Sequence, residues 1–92
     1  MFGSRVRELR IGLNIDQVRL AKDLKVSKQT VSNWENDNVY PSVDMLIKLS
    51  NYFSVSTDYL LDLDNRRYIE VTGLTEEQIG RIQKIIKDIQ HR

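Results

Sequence analysis

The sequence has 92 residues, of which 40% are hydrophobic and 29% are charged, with one histidine and no cysteine. A chain of this length builds one small hydrophobic core, and this composition is typical of a globular protein. The cysteine count excludes disulfides and Cys-ligated zinc, and the single histidine excludes a histidine-based triad or metal site. No apolar run approaches the roughly 20 residues of a membrane span, and no signal-peptide core follows Met1. We therefore expect a cytoplasmic protein that is not an enzyme and needs no cofactor or metal.

Charge is distributed unevenly along the chain. Residues 1–33 carry seven Lys or Arg and three Asp or Glu, a net charge of +4, whereas residues 34–64 carry one Lys and six acidic residues, a net charge of −5. Residues 65–92 carry a net charge of +2. This segregation indicates a basic face that meets a polyanion, although random segregation on a solvated surface would leave the same pattern.

Helix signals cover most of the chain. We predict helices at 4–13, 17–24, 28–36, 43–53, 57–62 and 76–90, and Asn14 is the natural left-handed end of the first. The predicted caps of the later helices are Asp16, Ser27, Ser42, Ser56 and Thr75, and Thr75 forms a capping box with Gln78. Between the last two helices, Ile69 and Val71 alternate with polar neighbours in a polar linker, which predicts an extended segment or a short strand.

The second and third predicted helices are separated by only three residues, which forces a tight turn between them. Ala21 is small where two steeply crossing helices would nearly touch. The second helix of the pair is pinned by one apolar face, since Val31 and Trp34 are in phase. For Trp34 this phase favours the core over base stacking.

The opposite face of this helix is polar. At about 100° per residue, Gln29, Ser32, Asn33 and Asn36 lie opposite Val31 and Trp34, with Lys28 and Thr30 on the flanks. The face therefore offers amides, hydroxyls and an ammonium group without a carboxylate. Gln and Asn make bidentate contacts to adenine and Lys donates to guanine, so the pattern predicts a surface that reads DNA bases. The alternative is a neutral polar face of a small helical bundle.

Residues 5–61 resemble the Cro/phage-repressor type of helix-turn-helix domain, the Xre family of bacterial and phage regulators. The matching strings are LR at 9–10, DQVRLAKDL at 16–24, VSKQTVSNWEN at 26–36, Pro41 and TDYLL at 57–61. The resemblance implies an all-α, five-helix lambda-repressor-like bundle, here with an additional C-terminal helix. Lys25 and Asp37 stand where the family most often has glycine, so we expect left-handed or strained backbone there.

The resemblance also assigns roles to residues of the helix-turn-helix. The positions that match base-reading residues are Lys28, Gln29, Thr30, Ser32 and Asn33. Those that match phosphate contacts are Gln17, Ser27, Asn36 and Arg10. Arg10 and Glu35 match a partly buried ion pair, which the position of Glu35 at the edge of the buried face independently favours. Tyr40, Tyr68, Arg66 and Arg67 lie in predicted loops, where each either reaches the DNA backbone or serves the protein's own surface.

The last predicted helix carries an isoleucine stripe formed by Ile79, Ile82, Ile86 and Ile89. This stripe either pairs with the same helix of a second chain or folds back onto its own domain. We favour the pairing, because repressors of this type bind as dimers and no other dimerisation module is present. The predicted organisation is a DNA-binding domain at 1–62, a linker at 63–74 and a dimerisation helix at 75–92.

Together these features predict a sequence-specific regulator of transcription that binds double-stranded DNA, with a repressor as the favoured reading. We expect a homodimer on a palindromic operator, in the cytoplasm at the nucleoid, with no membrane or small-molecule partner. One alternative is an antitoxin-type DNA-binding protein whose tail also holds a toxin. The other is a protein-interaction module of the same fold without affinity for DNA.

Overall fold

The computed structural model describes residues 1–91, and within them the chain forms six α-helices and no strand. The helices are α1 (Phe2–Gly12), α2 (Gln17–Leu24), α3 (Lys28–Glu35), α4 (Val43–Phe53), α5 (Thr57–Leu60) and α6 (Glu76–Gln90). The predicted all-α class is confirmed, and the predicted bounds of α2, α4 and α6 are those observed. The end of the predicted C-terminal segment, Arg92, lies outside the described residues.

Four helix bounds differ from the prediction, one of them being the end of the first helix, which is Gly12 instead of residue 13. The first helix begins at Phe2 instead of residue 4, because the Phe2 side chain is only 2% exposed and belongs to the core. The third helix ends at Glu35, since Asp37 is left-handed with φ 57°. The fifth ends at Leu60, since Asp62 is left-handed with φ 64°.

Side-chain caps begin five of the six helices, as predicted. In each of these helices the cap oxygen accepts a hydrogen bond from the backbone N–H three residues further on; the caps are Asp16, Ser27, Ser42, Ser56 and Thr75. Thr75 and Gln78 complete the predicted capping box. Because each cap satisfies a backbone donor that would otherwise lack a partner, the local sequence defines where these helices start.

The hydrophobic core lies within the first five helices and the turn between α4 and α5. Its buried side chains run from Phe2 in α1 to Leu60 in α5, and α3 lies between α1 and α2, packing against both. The hydroxyl of Tyr52 on α4 donates to Asp23 Oδ2 of α2 at 2.6 Å. This hydrogen bond lowers the pKa of Asp23, and the neighbouring Arg19 lowers it further. The core thus fixes α3 on two sides, independently of α6.

Of the two predicted alternatives for the segment after α5, an extended segment or a short strand, the strand does not form. The segment contains a turn instead, in which Leu74 N donates to Val71 O at 3.0 Å and Gly73 has φ 91°. A strand is stabilised by backbone hydrogen bonds to a neighbouring strand, and no other segment of residues 1–91 forms one.

α6 buries none of its residues in the described part of the chain. Ile79 and Ile82 are half-buried, whereas Ile86 and Ile89 are 37% and 62% exposed. No described helix is long and apolar enough to cross a membrane.

Candidate nucleic-acid interface

The turn between α2 and α3 brings the two helices into close contact. Lys25 adopts the predicted left-handed conformation, with φ 59°, and Val26 N donates to Ala21 O at 2.9 Å. Ala21 is buried, as are Leu20 and Val31. The small side chain of Ala21 permits this approach, since a larger residue would separate the helices.

α3 presents one buried and one accessible face. Val31 and Trp34 are buried, so Trp34 is a core residue as predicted. On the accessible face, Lys28, Gln29 and Asn36 are exposed and Thr30, Ser32 and Asn33 are half-buried. The predicted polar residues thus lie together on one face of the protein.

Hydrogen bonds order the side chains of this face. Gln29 Nε2 donates to Asn33 Oδ1 at 3.1 Å, one helical turn further on. At the start of α3 the hydroxyls of Ser27 and Thr30 are 2.8 Å apart, and at its end Asn36 Nδ2 lies 3.4 Å from Ser32 Oγ. Each amide keeps donors or acceptors that these bonds do not use, so the face remains able to bind polar groups.

The predicted ion pair between Arg10 and Glu35 is present. Arg10 Nε donates to Glu35 Oε2 at 2.7 Å and Nη2 donates to Oε1 at 3.0 Å, a bidentate arrangement. The side chains are only 12% and 4% exposed, and the hydrogen bond to Glu35 raises the pKa of Arg10. Gln17 Nε2 donates to the same Glu35 Oε1 at 3.1 Å. The only carboxylate of α3 is therefore neutralised inside the protein.

The contact between the start of α1 and the end of α3 was not predicted. Gly3 N donates to Asp37 Oδ1 at 2.9 Å, so Asp37 supplies a partner for the first turn of α1. A Cβ on Gly3 would lie 2.5 Å from the carbonyl oxygen of Glu35. The left-handed position of Asp37 is evident in the sequence, but its bond to a residue 34 positions away has no local signal.

The loop residues with open roles contact other residues of the protein. The ring of Tyr40 is 5.7 Å from that of Phe2 and is exposed to solvent. Arg66 pairs with Asp64 at 3.3 Å, within the linker. Arg67 lies over the ring of Tyr59, with 5.4 Å between its guanidinium carbon and the ring centroid.

Two helices joined by a tight turn, the second presenting a polar face without a free carboxylate, define a helix-turn-helix domain. Residues 6–60 match the family described as helix-turn-helix, and the chain belongs to this family. The resemblance seen in the sequence is thereby confirmed.

Curated relatives are regulators of transcription, the class that the sequence predicts. The chain is 36% identical over 86 residues to the HTH-type transcriptional regulator ImmR of Bacillus subtilis, covering 94% of this chain and 68% of the relative. It is 40% identical over 60 residues to the transcriptional activator BcrR of Enterococcus faecalis, covering 65% of this chain and 29% of that protein. Repressor protein C2 of Salmonella phage P22 is 38% identical over 64 residues, covering 70% and 30%.

Solved structures show the same fold. The P22 c2 repressor in complex with a synthetic operator superposes with a TM-score of 0.66 at 38% identity, covering 70% of this chain and 97% of that one. A chain of the SinR–SinI complex superposes over its full length and that of this chain with a TM-score of 0.63. At 22% identity this second likeness concerns the fold alone.

Proposed function

We propose that this protein binds a specific double-stranded DNA sequence through α3 and represses transcription by occupying its site. The observation that carries the proposal is the accessible face of α3. Its amides, hydroxyls and ammonium group suit base edges in the major groove, while its one carboxylate is held by Arg10 away from phosphates. The base-reading residues are Lys28, Gln29, Thr30, Ser32 and Asn33.

Residues around this face contact the DNA backbone. Gln17 uses one amide hydrogen for Glu35, and its second is available to a phosphate at the start of α2. Ser27 and Asn36 lie at the two ends of α3 and reach phosphates on either side of the groove. Glu35 and Ile15 use three of the five N–H donors of Arg10, and the other two are available to a phosphate. The main effect of Arg10 is to fix the position of α3.

The comparisons support DNA binding and favour repression. The P22 c2 repressor, which shares this fold at 38% identity, is seen on an operator. BcrR is named an activator and C2 a repressor, so the relatives include both directions of regulation. We favour repression for this protein because of how it would act at a promoter, where occupancy by the domain is sufficient to repress.

Dimerisation completes the proposal. A single helix-turn-helix domain reads one half-site, whereas two domains related by a two-fold axis read a palindrome with half-sites about 34–36 Å apart. The isoleucine stripe of α6 supports this arrangement, because Ile86 and Ile89 remain exposed on their own chain. A second copy of α6 is the partner that would cover the stripe.

Selection of bound fragments from random DNA tests the proposal directly. We expect recovery of a palindromic site, with affinity that falls as salt increases because phosphate contacts release counterions. Failure to enrich any sequence, together with weak binding at low salt, would instead favour the protein-interaction module.

Gln29→Ala and Gln17→Ala then separate base reading from phosphate contact. Gln29→Ala should cost about 1–3 kcal/mol on the selected site and relax base choice at one position. Gln17→Ala should weaken binding to selected and random DNA more evenly, since a phosphate carries no sequence information. Gel shifts on both DNAs provide the measurement. Equal losses on both DNAs for the two variants would contradict the assignment of α3 as the reading helix.

A further inference from the structure

The linker follows the surface of the helix-turn-helix domain before α6 begins. Residues 68–70 border a groove whose opposite wall belongs to the end of α4 and the turn after it. At the start of the linker, Leu63 N donates to Asp58 O at 2.8 Å. The linker therefore borders the domain near its middle, and one backbone hydrogen bond ties its first residue to α5.

A tyrosine ring holds the linker to the domain. Tyr59 of α5 is only 9% exposed, and two guanidinium carbons lie near its ring centroid: that of Arg5 at 3.9 Å and that of Arg67 at 5.4 Å. Both distances are within the range of cation–π attraction. Arg5 Nη2 also donates to Asp62 Oδ1 at 2.6 Å and to Asn65 Oδ1 at 2.7 Å. One cluster thus joins α1, α5 and the linker.

We propose that Arg67 is a positioning residue which, through the Tyr59 ring, fixes the direction in which α6 leaves the domain. In a dimer this direction fixes the separation of the two α3 helices and therefore the half-site spacing that the protein accepts. The inference rests on the proposed function, because it concerns how two domains are held on one operator.

The geometry of DNA makes such a restraint measurable. One inserted base pair moves a half-site by about 3.4 Å and turns it by roughly 35°, given about 10.5 base pairs per turn. A free linker of the same 12 residues would span about 20 Å on average and would follow that shift easily. A linker held on the domain does not follow it, so the protein discriminates between spacings.

The test measures full-length Arg67→Ala on operators of altered spacing. The operator is first selected with the wild-type protein, and base pairs are then inserted or removed between its half-sites. Arg66→Ala is the matched control, since it removes the same charge from the adjacent residue. Arg66 contacts Asp64 and lies 5.9 Å from the Tyr68 ring, both within the linker. Circular dichroism and thermal melts establish that each variant is folded.

We expect the wild type and Arg66→Ala to lose about tenfold or more in affinity when one base pair is added or removed. Arg67→Ala should bind the natural spacing a few-fold more weakly and lose much less on the altered ones, because the cation–π contact is weak but directional. Arg67→Gln, which keeps a long polar side chain without the charge, should show the same relaxed profile.

The inference would be overturned if Arg67→Ala lost as much affinity on the altered spacings as the wild type does. It would also be overturned if Arg66→Ala tolerated the altered spacings as well as Arg67→Ala does. A wild type that binds its selected site without preference for spacing would also overturn it, while leaving DNA binding intact. A wild type that selects no DNA would instead overturn the proposed function.

Discussion

The ion pair of Arg10 with Glu35 shows how a nearly buried contact determines which groups α3 offers to a ligand. Their bidentate pair is nearly buried, so removal of one partner leaves an uncompensated charge. We expect Arg10→Ala to lower the free energy of unfolding by about 3 kcal/mol. Chemical denaturation of Arg10→Ala, Glu35→Ala and the double variant measures the coupling between them.

An exposed pair on another helix provides the control for this cycle. Arg81 and Glu77 of α6 are 2.6 Å apart, but their side chains are 69% and 76% exposed. Arg81→Ala should therefore change the free energy of unfolding by under about 0.5 kcal/mol. Additive effects of Arg10→Ala and Glu35→Ala would contradict the view that the pair acts as a unit.

Two left-handed residues have the same backbone conformation but different side-chain roles. Lys25 has φ 59° and its exposed side chain makes no hydrogen bond in the described structure, so Lys25→Gly should stabilise the protein by about 0.5–1 kcal/mol. Asp37 has φ 57°, but its carboxylate accepts the Gly3 amide. Asp37→Gly should therefore give no such gain. Denaturant midpoints of both variants provide the test, and equal gains would mean that the Asp37 bond contributes nothing.

At the scale of elements, the contact of α1 with α3 depends on the absence of a side chain at Gly3. A Cβ there would approach backbone atoms of Trp34 and Glu35 at 2.6 and 2.5 Å, and backbone cannot move aside as a side chain does. We expect Gly3→Ala to lower the melting temperature and, by shifting the end of α3, to weaken DNA binding.

Gly12→Ala, at the other end of the same helix, is the matched substitution. A Cβ at Gly12 meets nothing within 4 Å, so alanine should be neutral or should stabilise α1 by up to about 1 kcal/mol. A Gly3→Ala protein as stable as Gly12→Ala would show that the two helices are not held as closely as the structure indicates.

The elements differ in how far the sequence predicts them. The starts of α2 to α6 could be predicted because a cap and its hydrogen-bond partner are three residues apart. The start of α1 was missed because it is stabilised by distant parts of the chain. Phe2 is buried in the core that the other helices complete, and Asp37 accepts the Gly3 amide. The reading face of α3 followed from the phase of Val31 and Trp34, whereas the bond from Gln17 to Glu35 depends on how α2 and α3 cross.

At the scale of the whole molecule, folding and the proposed assembly belong to different parts of the chain. Every buried core side chain lies between Phe2 and Leu60, and α6 contributes none. Residues 1–65 should therefore fold alone, with a helical circular dichroism spectrum and a cooperative melt. This separation allows dimerisation to be removed without loss of the reading domain.

The stripe of α6 provides the decisive comparison for the dimer. Sedimentation at micromolar concentration should show the intact chain as a dimer and residues 1–65 as a monomer, with operator binding much weakened because only one half-site is held at a time. Ile86→Asp should reproduce the monomer in the full chain, since it places a charge in the stripe. Lys84→Ala lowers the net charge by the same unit on the opposite face of the helix and should remain dimeric. An intact chain that sediments as a monomer, or a shortened one that dimerises, would mean that the isoleucine stripe does not join two copies.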